Sequence, residues 1–335
     1  MKSKTYMIVV SAVVVCGATH PCLKPVCSSE IDKPERTPVF HIRNRSTAPL
    51  LRADKPWESC CVFGGTVIRE DTRWRMWYGA YDRNHKRDDD GFLCYAESPD
   101  GVHWTKPDLG IVVYEGNKNN NILISSRQSG GFSFSCVFLD EGNDVRERYK
   151  MIWHRFKPQD AWWVYGGISS DGIRWTLLPE PLSRRNSDTT TPCILDGGKY
   201  RLYTRVWQGG DFKGARAVGY TESDHFGDFP EPVEIFSHDE HDPEGMQFYS
   251  SAATKLTDRL YVMFPAEFYP KNQTSRSHLA WSRDVVHFSR YGREPVVDLG
   301  TTFDTKGVYV MPGATPGDEP NTCWFYYFGT NVEHD

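Results

Sequence analysis

The stretch Ala96-Glu-Ser-Pro-Asp-Gly-Val-His-Trp104 decides how this chain is read. A strand ends at Ala96, Asp100-Gly101 makes a tight turn, and Trp104 opens the next strand. Aspartate at a turn start bonds its own backbone, and glycine takes the positive φ that the turn demands. The pattern recurs as Ser169-Ser-Asp-Gly-Ile-Arg-Trp175 and, degraded, as Ser282-Arg-Asp-Val-Val-His-Phe288; Thr221-Glu-Ser-Asp-His-Phe226 is a weaker echo. One such turn fits any hairpin. Its recurrence marks an array.

Working outward, the chain divides into four-strand units. The first is predicted at 60–69, 74–81, 91–98 and from Trp104 onward, the second at 133–139, 149–156, 162–169 and 175–178. The third falls at 191–195, 200–206, 215–221 and 232–236, the fourth at 248–256, 260–264, 278–282 and 295–299. A fifth begins at 307–312 and 323–328. The second strand of each unit repeats an aromatic-rich run: Arg75-Met-Trp-Tyr78, Lys150-Met-Ile-Trp153, Arg201-Leu-Tyr203, Leu260-Tyr-Val-Met263 and Trp324-Phe-Tyr-Tyr327. Turn punctuation such as Asp140-Glu-Gly142 and Asp196-Gly-Gly198 precedes most of them. Four-stranded units repeated radially are the logic of a β-propeller. The expected fold is therefore all-β, a five-bladed β-propeller with its last blade incomplete. Either the segment near Pro38–Ile42 closes the ring or the chain is C-terminally truncated; the polar ending Asn331-Val-Glu-His-Asp335 favours truncation. The rival architecture, a β-sandwich, does not predict the same aromatic strand in every unit.

Composition agrees. Aromatic residues are abundant, with 11 Trp, 17 Tyr and 18 Phe, and helix-period apolar patterning is nearly absent, which favours strands. Net charge is −5 with both signs interspersed, which argues against nucleic acid as a partner. Residues 1–18 read as a secretory signal peptide: Lys2 and Lys4 lead an apolar core from Tyr6 to Val15, followed by small residues at Cys16-Gly17-Ala18. That core is well short of the roughly 20 residues a membrane span needs. The expected location is secreted or periplasmic. Residues 19–37 form a Pro-rich linker, and 38–335 the propeller domain. Of nine cysteines, Cys16 leaves with the leader and Cys22 could pair with Cys27 in the tail. Cys60, Cys61, Cys94, Cys136, Cys193 and Cys323 fall in predicted strands as small apolar residues. No zinc-ligand spacing is present.

In a propeller the innermost strands start near the axis, so residues far apart in sequence converge there. Those starts read Pro56-Trp-Glu58, Gly131-Phe-Ser133, Asn186-Ser-Asp188-Thr189, Pro243-Glu244-Gly-Met-Gln247 and Thr302-Phe-Asp304-Thr-Lys306. For any one acid a solvated loop or strand cap is the blander reading. Acids at equivalent positions point to a site, because crowded like charges are unfavourable unless they serve chemistry or hold a cation. Clustered carboxylates on an aromatic rim suit glycosidic cleavage, one protonating the leaving oxygen and the other attacking the anomeric carbon or activating water. Asp188 and Asp304 are the expected pair, with Glu58 and Glu244 as acid/base or pKa-setting partners. Trp57, Arg205, Gln247, Tyr249 and Lys306 are the expected sugar-binding residues. Trp162, Trp163, Phe248 and Arg155 lie where they could reach the same pocket. No metal ligand set is expected and no cofactor is required, although a structural calcium ion at the axis could be held by these same acids and by waters.

The chain also resembles a known group. Ser98-Pro-Asp-Gly-Val-His-Trp-Thr-Lys-Pro107, Asn120-Asn121-Ile122, Arg148-Tyr-Lys-Met151, Ser187-Asp-Thr189, Met263-Phe-Pro265, Phe303-Asp304 and Tyr326-Tyr-Phe-Gly-Thr-Asn331 carry the likeness. They resemble the five-bladed propeller glycoside hydrolases of the arabinanase and fructosidase superfamily. More closely they resemble secreted bacterial proteins similar to the glycosyl hydrolase family 32 N-terminal domain. The resemblance spans about residues 38–335 and implies a secreted glycosidase acting on plant or algal polysaccharide fragments. The fructosidase Asn-Asp-Pro-Asn-Gly, Arg-Asp-Pro and Glu-Cys motifs are absent, and 131–136 offers no acid. Catalytic roles are therefore not carried over by the resemblance, and a carbohydrate-binding propeller that does not cut is the alternative.

Overall fold

The computed structural model describes residues 6–17, 37–42, 45–84, 91–142, 144–157, 161–319 and 321–333. The expected pairing of Cys22 with Cys27 lies outside the described residues. Four antiparallel meanders of four strands each follow one another along the chain. The first comprises Cys61–Glu70, Arg73–Tyr81, Phe92–Ser98 and Ile122–Ser125, the second Ser133–Leu139, Tyr149–Lys157, Ala161–Ser169 and Thr176–Ser183. Cys193–Asp196, Lys199–Trp207, Arg216–Ser223 and Val233–Phe236 make the third. Ala253–Thr257, Leu260–Met263, Ala280–Ser282 and Ser289–Arg290 make the fourth.

A fifth, eight-stranded sheet gathers Gln247–Ser250, Ala266–Tyr269, Thr274–Ser277, Gly307–Val310, Thr315–Pro316 and Thr322–Thr330, together with Tyr6–Gly17 and Val39–Ile42. Val39–Ile42 thus joins this sheet through Tyr6–Gly17, which pairs on its other side with Thr322–Thr330.

Three expected strands differ. The fourth strand of the first sheet is Ile122–Ser125. Trp104 stays in the turn, its Nε1 donating to the Gly101 carbonyl at 3.1 Å. The run 248–256 is broken, its first part pairing with an inserted hairpin, Ala266–Tyr269 and Thr274–Ser277, whose short strands carry no strong alternation. The segment 295–299 makes one bridge, Val297 to Ser277, and Ser289–Arg290 takes the edge instead.

Apolar layers lie between consecutive sheets. Trp77 and Tyr95 of the first pack against Tyr149 and Trp153 of the second. Ile152 and Val164 meet Tyr200 and Leu202 of the third. Tyr203 and Tyr220 meet Tyr261 and Met263 of the fourth. Leu260 and Val262 meet Phe325 and Tyr327 of the fifth. Tyr326 and Met311 return to Val62, Met76 and Tyr78 of the first. Because strand residues alternate faces, Met76 and Tyr78 serve one layer and Trp77 the next. The second strands are buried on both faces, which is why they read as unbroken apolar and aromatic runs.

The two sequence repeats lock these layers. In the two glycine turns the serine Oγ accepts from the amide three residues on, at 2.9 Å for Ser98–Gly101 and for Ser169–Gly172. The aspartate Oδ1 accepts from two further amides, at 2.8 Å each for Asp100. The carbonyl at the turn apex then receives a hydrogen bond from a neighbouring sheet's second-strand aromatic. Trp77 Nε1 donates to Gly172 at 2.6 Å, Tyr203 Oη to Val285 at 2.8 Å, and Tyr326 Oη to Gly101 at 3.2 Å. Gly172 has φ +71°, and a Cβ there would stand 2.8 Å from Trp77, so glycine answers both backbone and packing.

The hairpin acids face the other way. Glu70, Asp140 and Asp196 accept from Tyr149, Tyr200 and Tyr261 of the following sheet at 2.6, 2.5 and 2.7 Å.

Candidate functional site

Where the innermost strands begin, a cavity of about 150 Å³ opens. Its wall is drawn from remote parts of the chain: Phe63 and Tyr81, Phe134, Thr189 and Thr190, Tyr249 to Ser251, Gln273, and Tyr309 with Phe328. Ring faces and hydroxyls dominate. Phe63 stacks on Tyr81 at 4.6 Å and Tyr309 on Phe328 at 4.7 Å between ring centroids. Tyr81 Oη lies 2.7 Å from Ser133 Oγ. Phe134 holds φ +38°, and its carbonyl is 3.0 Å from Nδ1 of the buried His154. That bond sets Nδ1 as the donor, leaving Nε2 to accept from Thr191 Oγ1 at 3.2 Å. Burial pushes the His154 imidazole down to about 4, so it is neutral near pH 7.

Beside this cavity the structure brings together Asp188, Arg205, Tyr249 and Gln247. Arg205 is buried and is ion-paired to Asp188. Its Nε donates to the Tyr249 carbonyl at 2.9 Å and its Nη2 to the same oxygen at 2.5 Å, while the guanidinium lies 3.9 Å from the Tyr249 ring centre. Burial works against the Arg205 charge; Asp188 and Tyr249 outweigh it and hold its pKa above the ordinary value. The Asp188 side chain keeps 28% of its surface exposed. Arg216 lies 5.5 Å from the Tyr249 ring centre and donates to Gln247 Oε1 at 2.8 Å.

The remaining expected residues lie elsewhere. Glu58 is fully buried at the foot of the first sheet, accepting from Tyr78 Oη at 2.5 Å, Lys106 Nζ at 2.6 Å and the amides of Asp54 and Lys55. Trp57 belongs to the same network, Nε1 donating to Asn121 at 2.9 Å. Its ring packs edge-on to Tyr114. Asp304 is buried with Tyr327 Oη at 2.9 Å and Arg45 on its carboxylate. Glu244 is exposed on the loop after Val233–Phe236. Lys306 is half-exposed and 3.3 Å from Glu333. Arg155 stacks on Tyr165 at 4.0 Å, and Trp163 lies under Arg184. Phe248 is in the layer between the third and fourth sheets.

Asp188, Glu58 and Asp304 therefore each have their own partners while Glu244 is exposed, and among the described residues no three His, Cys, Asp or Glu side chains converge as a metal site. These acids do not fit a shared calcium ion. Thr189, Thr190, Ser250, Ser251 and Gln273 were not foreseen. The run Thr189-Thr190-Thr191 after Asp188 is a sequence signal for the first two alone. The buried cysteines Cys61, Cys94, Cys136 and Cys193 behave as the apolar residues expected, and burial raises the Cys136 thiol to about 11.

Several solved structures share this architecture. An N-acetylgalactosamine deacetylase from F. plautii, in complex with blood group B trisaccharide, has a TM-score of 0.59 at 15% identity, covering 83% of this chain and 92% of that one. A glycosyl hydrolase from Bacteroides ovatus gives 0.56 at 14% identity over 83% of each chain. A thermostable family-43 glycoside hydrolase gives 0.55 at 11% identity, over 81% of this chain and 93% of the other. The chain has the fold of the propeller glycosidases. No family model matches it. An uncharacterised protein of Mycobacterium tuberculosis is 27% identical over 179 residues, 48% of this chain and 51% of its own length. The chain thus spans about half the length of that curated relative. Among the described residues no helix is long and apolar enough to cross a membrane.

Proposed function

We propose that this protein is an exported glycoside hydrolase, a five-bladed propeller whose sheets are its blades, with the sugar seated in the central cavity. The observation that carries the reading is the wall itself: aromatic faces and hydroxyls from distant segments, with the Asp188–Arg205 ion pair set beside them. Aromatic faces stack on sugar rings and hydroxyls replace water around sugar oxygens. Asp188, partly exposed and ion-paired to Arg205, is the acid placed nearest the glycosidic bond, as nucleophile or base. The second carboxylate is sought among Asp304, Glu58 and Glu244. Tyr249 lines the cavity, and Gln247, held by Arg216, stands behind it; Trp57 and Lys306 are more distant binding candidates. Plant or algal polysaccharide fragments are the substrate class that the family resemblance suggests. Export through residues 1–18 would free Tyr6–Gly17 from Thr322–Thr330, and N-terminal sequencing of the exported protein tests it.

The deciding experiment is hydrolysis of a glycan panel by the chain and by Asp188→Asn. Loss of a positioned acid or base costs about 10²–10⁴ in rate. A variant retaining full activity overturns the assignment, and Asp304→Asn, Glu58→Gln and Glu244→Gln then locate the acids that act. One observation favours a second reading, a carbohydrate-binding propeller: among the described residues lining the cavity none is a carboxylate. Sugar binding without turnover by the unaltered chain would establish it. Calcium would have to rely on axial carbonyls and hydroxyls, which metal analysis of the purified protein checks.

A further inference from the structure

Two features of the cavity bear on what it holds. The first is charge. None of the described residues lining it is charged. The nearest guanidinium, Arg205, directs Nη1 to Asp188 and Nε and Nη2 to the Tyr249 carbonyl. Arg216 is bound to Gln247 and stacked over Tyr249 and Phe268. A ligand carboxylate entering here would leave water and meet Asp188 without a free counter-charge, which is strongly unfavourable.

The second feature is Gln273, at the turn of the hairpin that interrupts the fourth unit. It has φ +54° and lines the cavity. Its Nε2 donates to the Pro270 carbonyl at 2.8 Å. That bond fixes which end of the amide is nitrogen, since an oxygen there would face another oxygen. Oε1 is left buried with no hydrogen-bond partner. A buried acceptor without a donor is costly, and a bound hydroxyl would remove the cost. The cavity volume of about 150 Å³ admits roughly ten water-sized spheres, the scale of a single sugar ring.

We infer that the cavity selects one uncharged sugar unit and that Gln273 Oε1 accepts a hydrogen bond from one of its hydroxyls. The inference rests on the glycan reading above and narrows it to neutral sugars, with uronates and other acidic sugars excluded. Gln273 acts here as a specificity-determining residue; Asp188 is left to the chemistry.

The test is titration calorimetry of the full chain with methyl glycosides of glucose, galactose, mannose, xylose and arabinose, against glucuronate and galacturonate. At least one neutral glycoside should bind more than tenfold tighter than either uronate. Gln273→Leu, similar in volume and without the acceptor, should weaken that sugar about five- to tenfold, the worth of one hydrogen bond. Thr190→Val, which removes a lining hydroxyl, supplies the parallel measurement should Gln273→Leu lower the melting temperature. Uronates binding as well as the neutral sugars would overturn the selectivity and leave the glycan reading intact. No binding by any sugar of the panel would overturn the glycan reading and this inference with it. A folded Gln273→Leu with unchanged affinity would remove Gln273 from the site.

Discussion

At the scale of single residues, His154 shows how the fold spends a titratable group on shape. It is buried, fixes the Phe134 carbonyl that shapes the cavity wall, and has Asp188 favouring and Arg205 opposing its charge. Desolvation dominates and moves it from 6.5 to about 4. The unfolded chain binds a proton below about pH 6.5 that the folded chain refuses until about pH 4. Stability is therefore level above the upper value and falls as pH drops through this window. The full loss is about 3 kcal/mol at 1.36 kcal/mol per pH unit. His154→Gln does not titrate, so urea denaturation at stepped pH should give a flatter curve for the variant between pH 6.5 and 4. Parallel curves would mean that the imidazole charges in the folded state. Val285 is the opposite case. It keeps φ +68° where the related turns have glycine at +76° and +71°, and it is buried in the layer between the third and fourth sheets. Its side-chain burial offsets backbone strain of order 1–2 kcal/mol. The repeat survives its lost glycine for that reason.

At the scale of elements, the turn repeat and the aromatic strand repeat were both legible, and they are halves of one contact. The aromatic donor of one sheet meets the apex carbonyl of the next. Tyr203→Phe and Tyr326→Phe each remove one donor and little volume, so each should cost about 1 kcal/mol in urea denaturation. The two sit in different sheets and share no partner, so the double variant should lose close to the sum. An excess beyond about 0.5 kcal/mol would mean that strain passes between sheets. Elements without such punctuation were not legible. Ile122–Ser125 follows a long excursion whose only bridges to a strand or within itself are Glu97–Thr105 and Tyr114–Asn117. The hairpin Ala266–Ser277 has strands of four residues, too short for period-two alternation to stand out. In the sequence Asp140 and Asp196 read as turn residues. They are also acceptors for Tyr200 and Tyr261, a role that needs the neighbouring sheet to be seen.

At the scale of the molecule, the order of units was legible because one repeat writes one sheet, while the site was legible only in part. Acids at strand starts carry a visible sign; hydroxyls do not. Asp188 and its neighbours Arg205, Tyr249 and Gln247 do converge, whereas Glu58 and Asp304 occupy matching places in the repeat and serve Lys106 and Arg45 instead. Position in a repeat brings a residue near the axis, and its local partners decide whether it reaches the cavity. The same axis closes the fold. Thr66 Oγ1 of the first sheet accepts from the Val137 amide of the second at 3.0 Å. Thr254 Oγ1 of the fourth accepts from the Gly313 amide at 2.9 Å, and Gly313 lies against Val67 of the first. Every sheet buries both faces on neighbours, so none retains a core alone and the ring should melt as a unit. Thr254→Val removes the acceptor of a half-buried amide at nearly constant volume and should cost about 1 kcal/mol. Calorimetry should show one transition, displaced downward and undivided, in the variant as in the parent. A variant trace that splits into two resolved transitions would mean that the sheets on either side of Gly313 fold independently, and the closed ring would not be the cooperative unit.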